Sequence, residues 1–166
     1  MSRSGVGIAA LSGVFLLLLA VPASTQAPKP TNPLTTPPAK PPLRLEPVAE
    51  TGLIMNGLAH ANFAGLERLL KQKPADNEAW VFARGQALLI GETANLLMIR
   101  PPKNSGETAW MDHCKELRDS ATALARTAAT RDFDGSRNAL GDLAVTCNRC
   151  HQTFRVPTRI VPFQQP

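Results

Sequence analysis

ETAWMDHCKELRDSATALARTAATR, residues 107–131, followed by DFDGSRNALGDLAVTCNRCHQTFR, residues 132–155, is the stretch that decides the fold. In its first half Trp110, Cys114, Leu117, Ala121, Leu124 and Ala128 recur at steps of four and three. That is a heptad-like seam, as expected where helices cross at a shallow angle. The turn Asp132-Phe133-Asp134-Gly135 follows, and a last helical segment is expected from about Ser136 to Arg155, before Pro157.

Upstream, two further helices are marked by their breakers. One is expected over about Val48 to Lys71, with Ile54, Leu58, Ala61, Gly65 and Leu69 on one face and Pro74 closing it. The other runs over about Asn77 to Ile99, with Asp76 or Asn77 as cap and Pro101-Pro102 as its stop; Gly85 and Gly91 weaken its pattern. Nothing in the chain alternates like a β-strand. Four helices with short connections predict an all-α fold, an antiparallel four-helix bundle, which can bury a cofactor between facing helices.

The chemistry concentrates in Cys147-Asn148-Arg149-Cys150-His151. On a helix, residues three and four apart share a face, so both thiols and the imidazole project the same way. C-x-x-C-H is an attachment signature for c-type haem: the thiols add across two vinyl groups and the imidazole reaches the iron. A redox dithiol uses the same C-x-x-C but normally opens a helix after a strand, and no strand precedes Cys147. A zinc site needs a fourth ligand, which Cys114 or His113 could supply. A disulfide between Cys147 and Cys150 within a helix is geometrically awkward.

The ends read differently from the middle. Residues 1–27 begin with Arg3, continue through an apolar run from Val6 to Val21 and end in small residues, which is the pattern of a secretory signal peptide. Cleavage after Ala23 or Ala27 would suit it. An uncleaved membrane anchor is the alternative, but the run falls short of the roughly 20 residues that span a bilayer. After cleavage no stable membrane span is expected, and the protein would be exported, to a periplasm. Residues 28–47 hold eight of the 15 prolines and predict an extended linker. The bundle domain is then residues 48–155, and residues 156–166, with three more prolines, read as a tail. The formal charge of +5 is scattered among acids, with neither a basic stripe nor an aromatic platform, which argues against nucleic acid as a partner.

A C-x-x-C-H close to the C-terminus, preceded by Leu140-Gly141-Asp142-Leu143 and followed by Phe154-Arg155, resembles the class II c-type cytochromes, the cytochrome c′ family. Trp110 after a Pro- and Gly-containing loop and the acidic turn before the last helix fit the same resemblance. It covers Val48 to Arg155, is carried mostly by the last two helices, and does not extend to the proline-rich linker. It implies one covalent haem c near the C-terminal helix, with Cys147 and Cys150 as thioether residues and His151 as proximal iron ligand. It also implies that Arg155 lies by the haem on the proximal side; a solvated cation favoured by the helix C-terminus is the other reading.

In this family the distal face comes from the first helix, where Met55 stands at the matching height. A thioether opposite an imidazole is a ligand pair of electron-transfer cytochromes. His60 is the rival ligand; five residues on, it should point about 140° away on an α-helix. Leu58 or another apolar residue could instead close the distal side and leave the iron five-coordinate. The expected function is electron transfer with redox partner proteins, without enzymatic activity. The alternative is a five-coordinate cytochrome c′ that takes up nitric oxide or carbon monoxide. Homodimers are common in the family. Cys114, on the seam, is expected to be a buried inert thiol, His113 a surface residue, Met98 and Met111 packing residues, and Trp80, Phe82 and Phe63 core or haem-wall aromatics.

Overall fold

The computed structural model describes residues 44–163; the signal segment 1–27, most of the linker (28–43) and residues 164–166 lie outside the described residues. The fold is an all-α four-helix bundle, with no strand among the described residues. The first helix, α1 (residues 51–69), comprises Thr51–Ile54, Met55–His60 and Ala61–Leu69, the middle segment in π geometry. It is followed by α2 (Asn77–Met98), α3 (Glu107–Ala129) and α4 (Phe133–Thr153). No described helix is long and apolar enough to cross a membrane.

The π segment resets the register of α1. The helix buries Ile54, Ala59, Phe63, Leu66 and Leu70, in steps of five, four, three and four, while Ala61, expected on the core face, is exposed. A π turn bonds i to i+5, so the residue five along comes round to the same face. The periodicity from Ile54 through Leu58 to Leu69 assumed an uninterrupted α-helix: Leu58 and Leu69 pack against the core and Gly65 is buried, as expected, but Ala61 is not, and Ala59 takes its place.

Elsewhere the pattern and the core agree. Cys114, Leu117, Ala121, Leu124 and Ala128 are all buried on α3. On α2 the core residues are Trp80, Ala83, Ala87, Ile90, Ala94 and Leu97, again in steps of three and four. Gly91, which weakened the sequence pattern, sits against α3: a Cβ there would meet that of Ala121 at 3.7 Å. Small residues on both helices thus let α2 and α3 approach closely, and backbone contact is greatest between them. Phe82, expected in the core or haem wall, is 59% exposed.

Helix ends are fixed by side chains. Asp76 Oδ1 accepts from the Ala79 amide at 2.8 Å and Asp132 Oδ1 from the Gly135 amide at 2.9 Å, caps of the kind that contribute about 1 kcal/mol each. The acidic turn at Asp132 is therefore the cap and first turn of α4, which starts three residues earlier than the sequence suggested. Gly106 precedes α3 at φ +87°, with the ring of Phe154 3.4 Å from where a Cβ would stand, so both backbone and space favour glycine there.

Gly65 on α1 packs directly against the amide of Gln86 on α2, and the Gln86 Oε1 is buried without a hydrogen-bond partner. Gly65→Ala is expected to lower stability by about 1–3 kcal/mol, because the added methyl overlaps the buried Gln86 amide and forces it to shift. Denaturant unfolding checks this; a neutral substitution would mean that Gln86 repacks freely.

Helices α1 and α4 make few close backbone approaches to one another, unlike the neighbouring pairs. Space is left at that side of the bundle, and the cysteines lie there.

Candidate cofactor site

A cavity of about 430 Å³ opens between α1, α3, α4 and the chain beyond α4. Its wall is mainly apolar, with Phe63 from α1, Ile90 and Leu97 from α2, Trp110 and Leu117 from α3 and Phe154 after α4. The size falls in the range of about 300–1,000 Å³ common for ligand pockets, and an apolar wall with few polar groups suits a flat hydrophobic cofactor. Trp110 is held in place by its indole N–H, which donates to the Leu97 carbonyl at 2.8 Å, and by an edge-on contact with Phe154 at 5.2 Å.

Cys147, Cys150 and His151 all line this cavity, as their helical spacing requires. His151 Nδ1 lies 2.8 Å from the Thr158 carbonyl oxygen. A carbonyl only accepts, so Nδ1 is the donor there, and in the neutral ring that leaves the lone pair an iron ligand needs on Nε2. Burial pushes the Cys147 thiol up to about 12, with the neighbouring Cys150 adding to it. Burial, and then the Glu116 carboxylate, raise Cys150 as well. Both thiols are therefore protonated at neutral pH, whereas a redox dithiol works through a lowered pKa. Among the described residues no group of three or more His, Cys, Asp and Glu side chains is arranged to hold a metal ion.

Across the cavity, Met55 is half-buried and lines the wall, and so does His60. The two were expected about 140° apart, a figure that holds for an α-helix. The π segment spans Met55 to His60, so a separation of five brings both to the same side of α1. Their placement differs in depth: Met55 packs against the core, whereas His60 is exposed at the rim. Leu58 packs against the core without lining the cavity.

Arg155 does not line the cavity. It lies exposed just past α4 at φ +56°, with its amide donating to the Gln152 carbonyl and the Val156 amide to the His151 carbonyl at 2.8 Å. This pair of bonds is a Schellman end, in which Arg155 occupies the left-handed position usually given to glycine. Its observed work is to reverse the chain.

His113, expected on the surface, also lines the cavity. Its Nδ1 faces Glu116 at 3.3 Å and its Nε2 the Thr153 hydroxyl at 2.9 Å, while Glu116 pairs with Arg149 at 3.3 Å. Its only sequence signal was its place one turn after Trp110 on the side next to the seam. Met98 packs against the core, whereas Met111 is exposed.

Cys114 is buried on the seam, lines the cavity and is free. Burial, with a contribution from Cys150, pushes its thiol up to about 11. Under native conditions at pH 7.0-type buffering near neutrality, Cys114 is expected to resist alkylation and to react fully on unfolding, as mass spectrometry would show. Rapid native labelling would instead mark it as reactive.

Two thiols and an imidazole on one wall of an apolar cavity, inside a four-helix bundle, define a protein suited to a covalently held, iron-bearing planar cofactor. The family model described as Cytochrome C′ matches residues 106–155, and that family binds a covalent haem c with iron. The matched residues are α3, the turn and α4 with its motif; α1, which carries Met55 and His60, lies outside them. No curated protein and no solved structure matches the chain.

Proposed function

We propose that this chain is an exported c-type cytochrome that transfers electrons to and from redox partner proteins through one haem. Cys147 and Cys150 hold the haem, His151 is its proximal ligand and Met55 its distal one. The observation that carries this reading is that the Met55 thioether and the His151 imidazole line the same apolar cavity from different helices. Haem supplies the redox chemistry; the chain supplies two axial donors, a dry wall and a fixed orientation, so that electron exchange needs little rearrangement.

A second reading is favoured by the match to the Cytochrome C′ model. In it the distal position is open and takes nitric oxide or carbon monoxide, with Met55 as packing. Optical spectra of the ferric and ferrous protein, with and without carbon monoxide, separate the two: a low-spin iron indifferent to carbon monoxide supports the electron carrier, and a high-spin iron that binds it supports the gas binder. Residues 1–27 would direct export, and residues 28–47 would be a linker ahead of the bundle, residues 48–155.

A further inference from the structure

The sequence reads residues 156–166 as a tail, yet residues 156–163 are fastened along the bundle at several points. The Schellman end at Arg155 turns the chain back, and Pro157 prevents it from continuing as helix. Thr158 then offers its carbonyl to His151 Nδ1 at 2.8 Å. Two residues on, Asn148, inside the C-x-x-C-H motif, makes a two-point clasp with the backbone of Ile160: its amide donates to the Ile160 carbonyl at 2.7 Å and its Oδ1 accepts from the Ile160 amide at 2.8 Å. The end of the segment is tied to α1 by the Phe163 amide, which donates to Glu67 Oε1 at 2.8 Å. It is tied to α4 by Arg137, whose guanidinium lies 3.9 Å from the centre of the Phe163 ring. Val156, Thr158 and Ile160 line the cavity.

These contacts meet at one atom of consequence. Of the two nitrogens of His151, one is fixed as a donor by the strap, and the other is free to ligate. A carbonyl that accepts from the far side of a ligating imidazole fixes its tautomer and orientation and raises its basicity. Asn148 holds that carbonyl in place, because Ile160 cannot move without breaking both bonds of the clasp. We propose that residues 156–163 are a proximal strap, with Asn148 as the positioning residue, that locks His151 as an Nε2 ligand and thereby lowers the reduction potential of the haem. This rests on the reading of His151 as the iron ligand. A stronger imidazole donor favours ferric over ferrous iron, so the strap stabilises the oxidised protein.

The test compares the haem-loaded wild-type protein with Asn148→Ala and with a chain ending at Val156. Nuclear magnetic resonance follows solvent exchange of the His151 Nδ1 proton, and an optical redox titration gives the midpoint potential. In both variants exchange should speed up roughly tenfold or more, as the loss of one hydrogen bond requires, and the midpoint should move to more positive values with haem still attached. A role confined to stability would lower the unfolding temperature and leave the folded protein's exchange rate and potential where they were. Haem present with both variants unchanged in exchange and potential overturns the strap alone; a wild-type protein that carries no haem overturns the cytochrome reading and the strap with it.

Discussion

Run on a denaturing gel, the wild-type protein should keep its haem and stain by haem peroxidase activity, and the Cys147→Ala, Cys150→Ala double variant should lose the stain completely. The reasoning is chemical. Both thiols line one apolar cavity next to His151, and thioether bonds survive conditions that unfold the chain. Coordination by His151 does not survive them, so it cannot hold haem on the gel without the thiols. Each single variant keeps one thioether and should keep most of the stain. Metal analysis should find one iron per chain. A wild-type band without stain, or zinc in place of iron, would remove the basis for every role assigned to the cavity. The expected effect is all-or-none because covalent attachment, unlike a ligand bond, has no equilibrium with free haem.

The parts of the molecule that were legible in the sequence are those held by local, regular spacing. The α3 seam from Cys114 to Ala128 is buried as its steps of four and three require. Cys147, Cys150 and His151 needed only helical geometry to share a wall. On α1 the reading was partial: Leu58, Gly65 and Leu69 lie in or against the core, but Ala59 replaces Ala61 there, because of a π segment whose bonding pattern leaves no mark in composition. Its one visible trace is that Ile54, Ala59 and Phe63 form an apolar stripe only if a step of five is admitted.

The strap was missed because its contacts are non-local. Asn148 and Ile160 are 12 residues apart, and Phe163 and Glu67 are 96 apart, separations at which no periodicity applies. A proline-containing terminus has the composition of a solvated tail. The signal against it was apolar: Val156, Ile160, Val161 and Phe163 are more than a solvated tail needs, and Ile160 and Phe163 pack on the core. His113 was expected on the surface, yet it lines the cavity next to the buried Cys114.

Met55→Ala should change the iron more than any other distal substitution. In the wild type the ferric protein should be low-spin, with the weak far-red band that the resemblance to methionine-ligated cytochromes implies, and ferrous iron should take up carbon monoxide slowly. Removing the thioether takes away the only donor on α1 that is both half-buried and packed on the core at the cavity wall. The far-red band should vanish, the ferric spectrum should become high-spin, carbon monoxide should bind readily, and the midpoint potential should fall, since methionine paired with histidine raises it. His60→Ala should leave the wild-type spectrum unchanged. The π segment removes the original reason for that expectation, because His60 stands on the same side of α1 as Met55. The reason that remains is depth: His60 is exposed at the rim, hydrated, and would have to leave water to reach the iron. The double variant Met55→Ala, His60→Ala decides whether depth suffices. If Met55→Ala is already high-spin, the rim histidine stays out and the double variant adds nothing. If Met55→Ala remains low-spin and only the double variant opens the iron, the imidazole moves in when the thioether leaves, and depth is no barrier. A wild-type protein that is high-spin from the outset would make Met55 a packing residue and hand the site to the gas-binding reading.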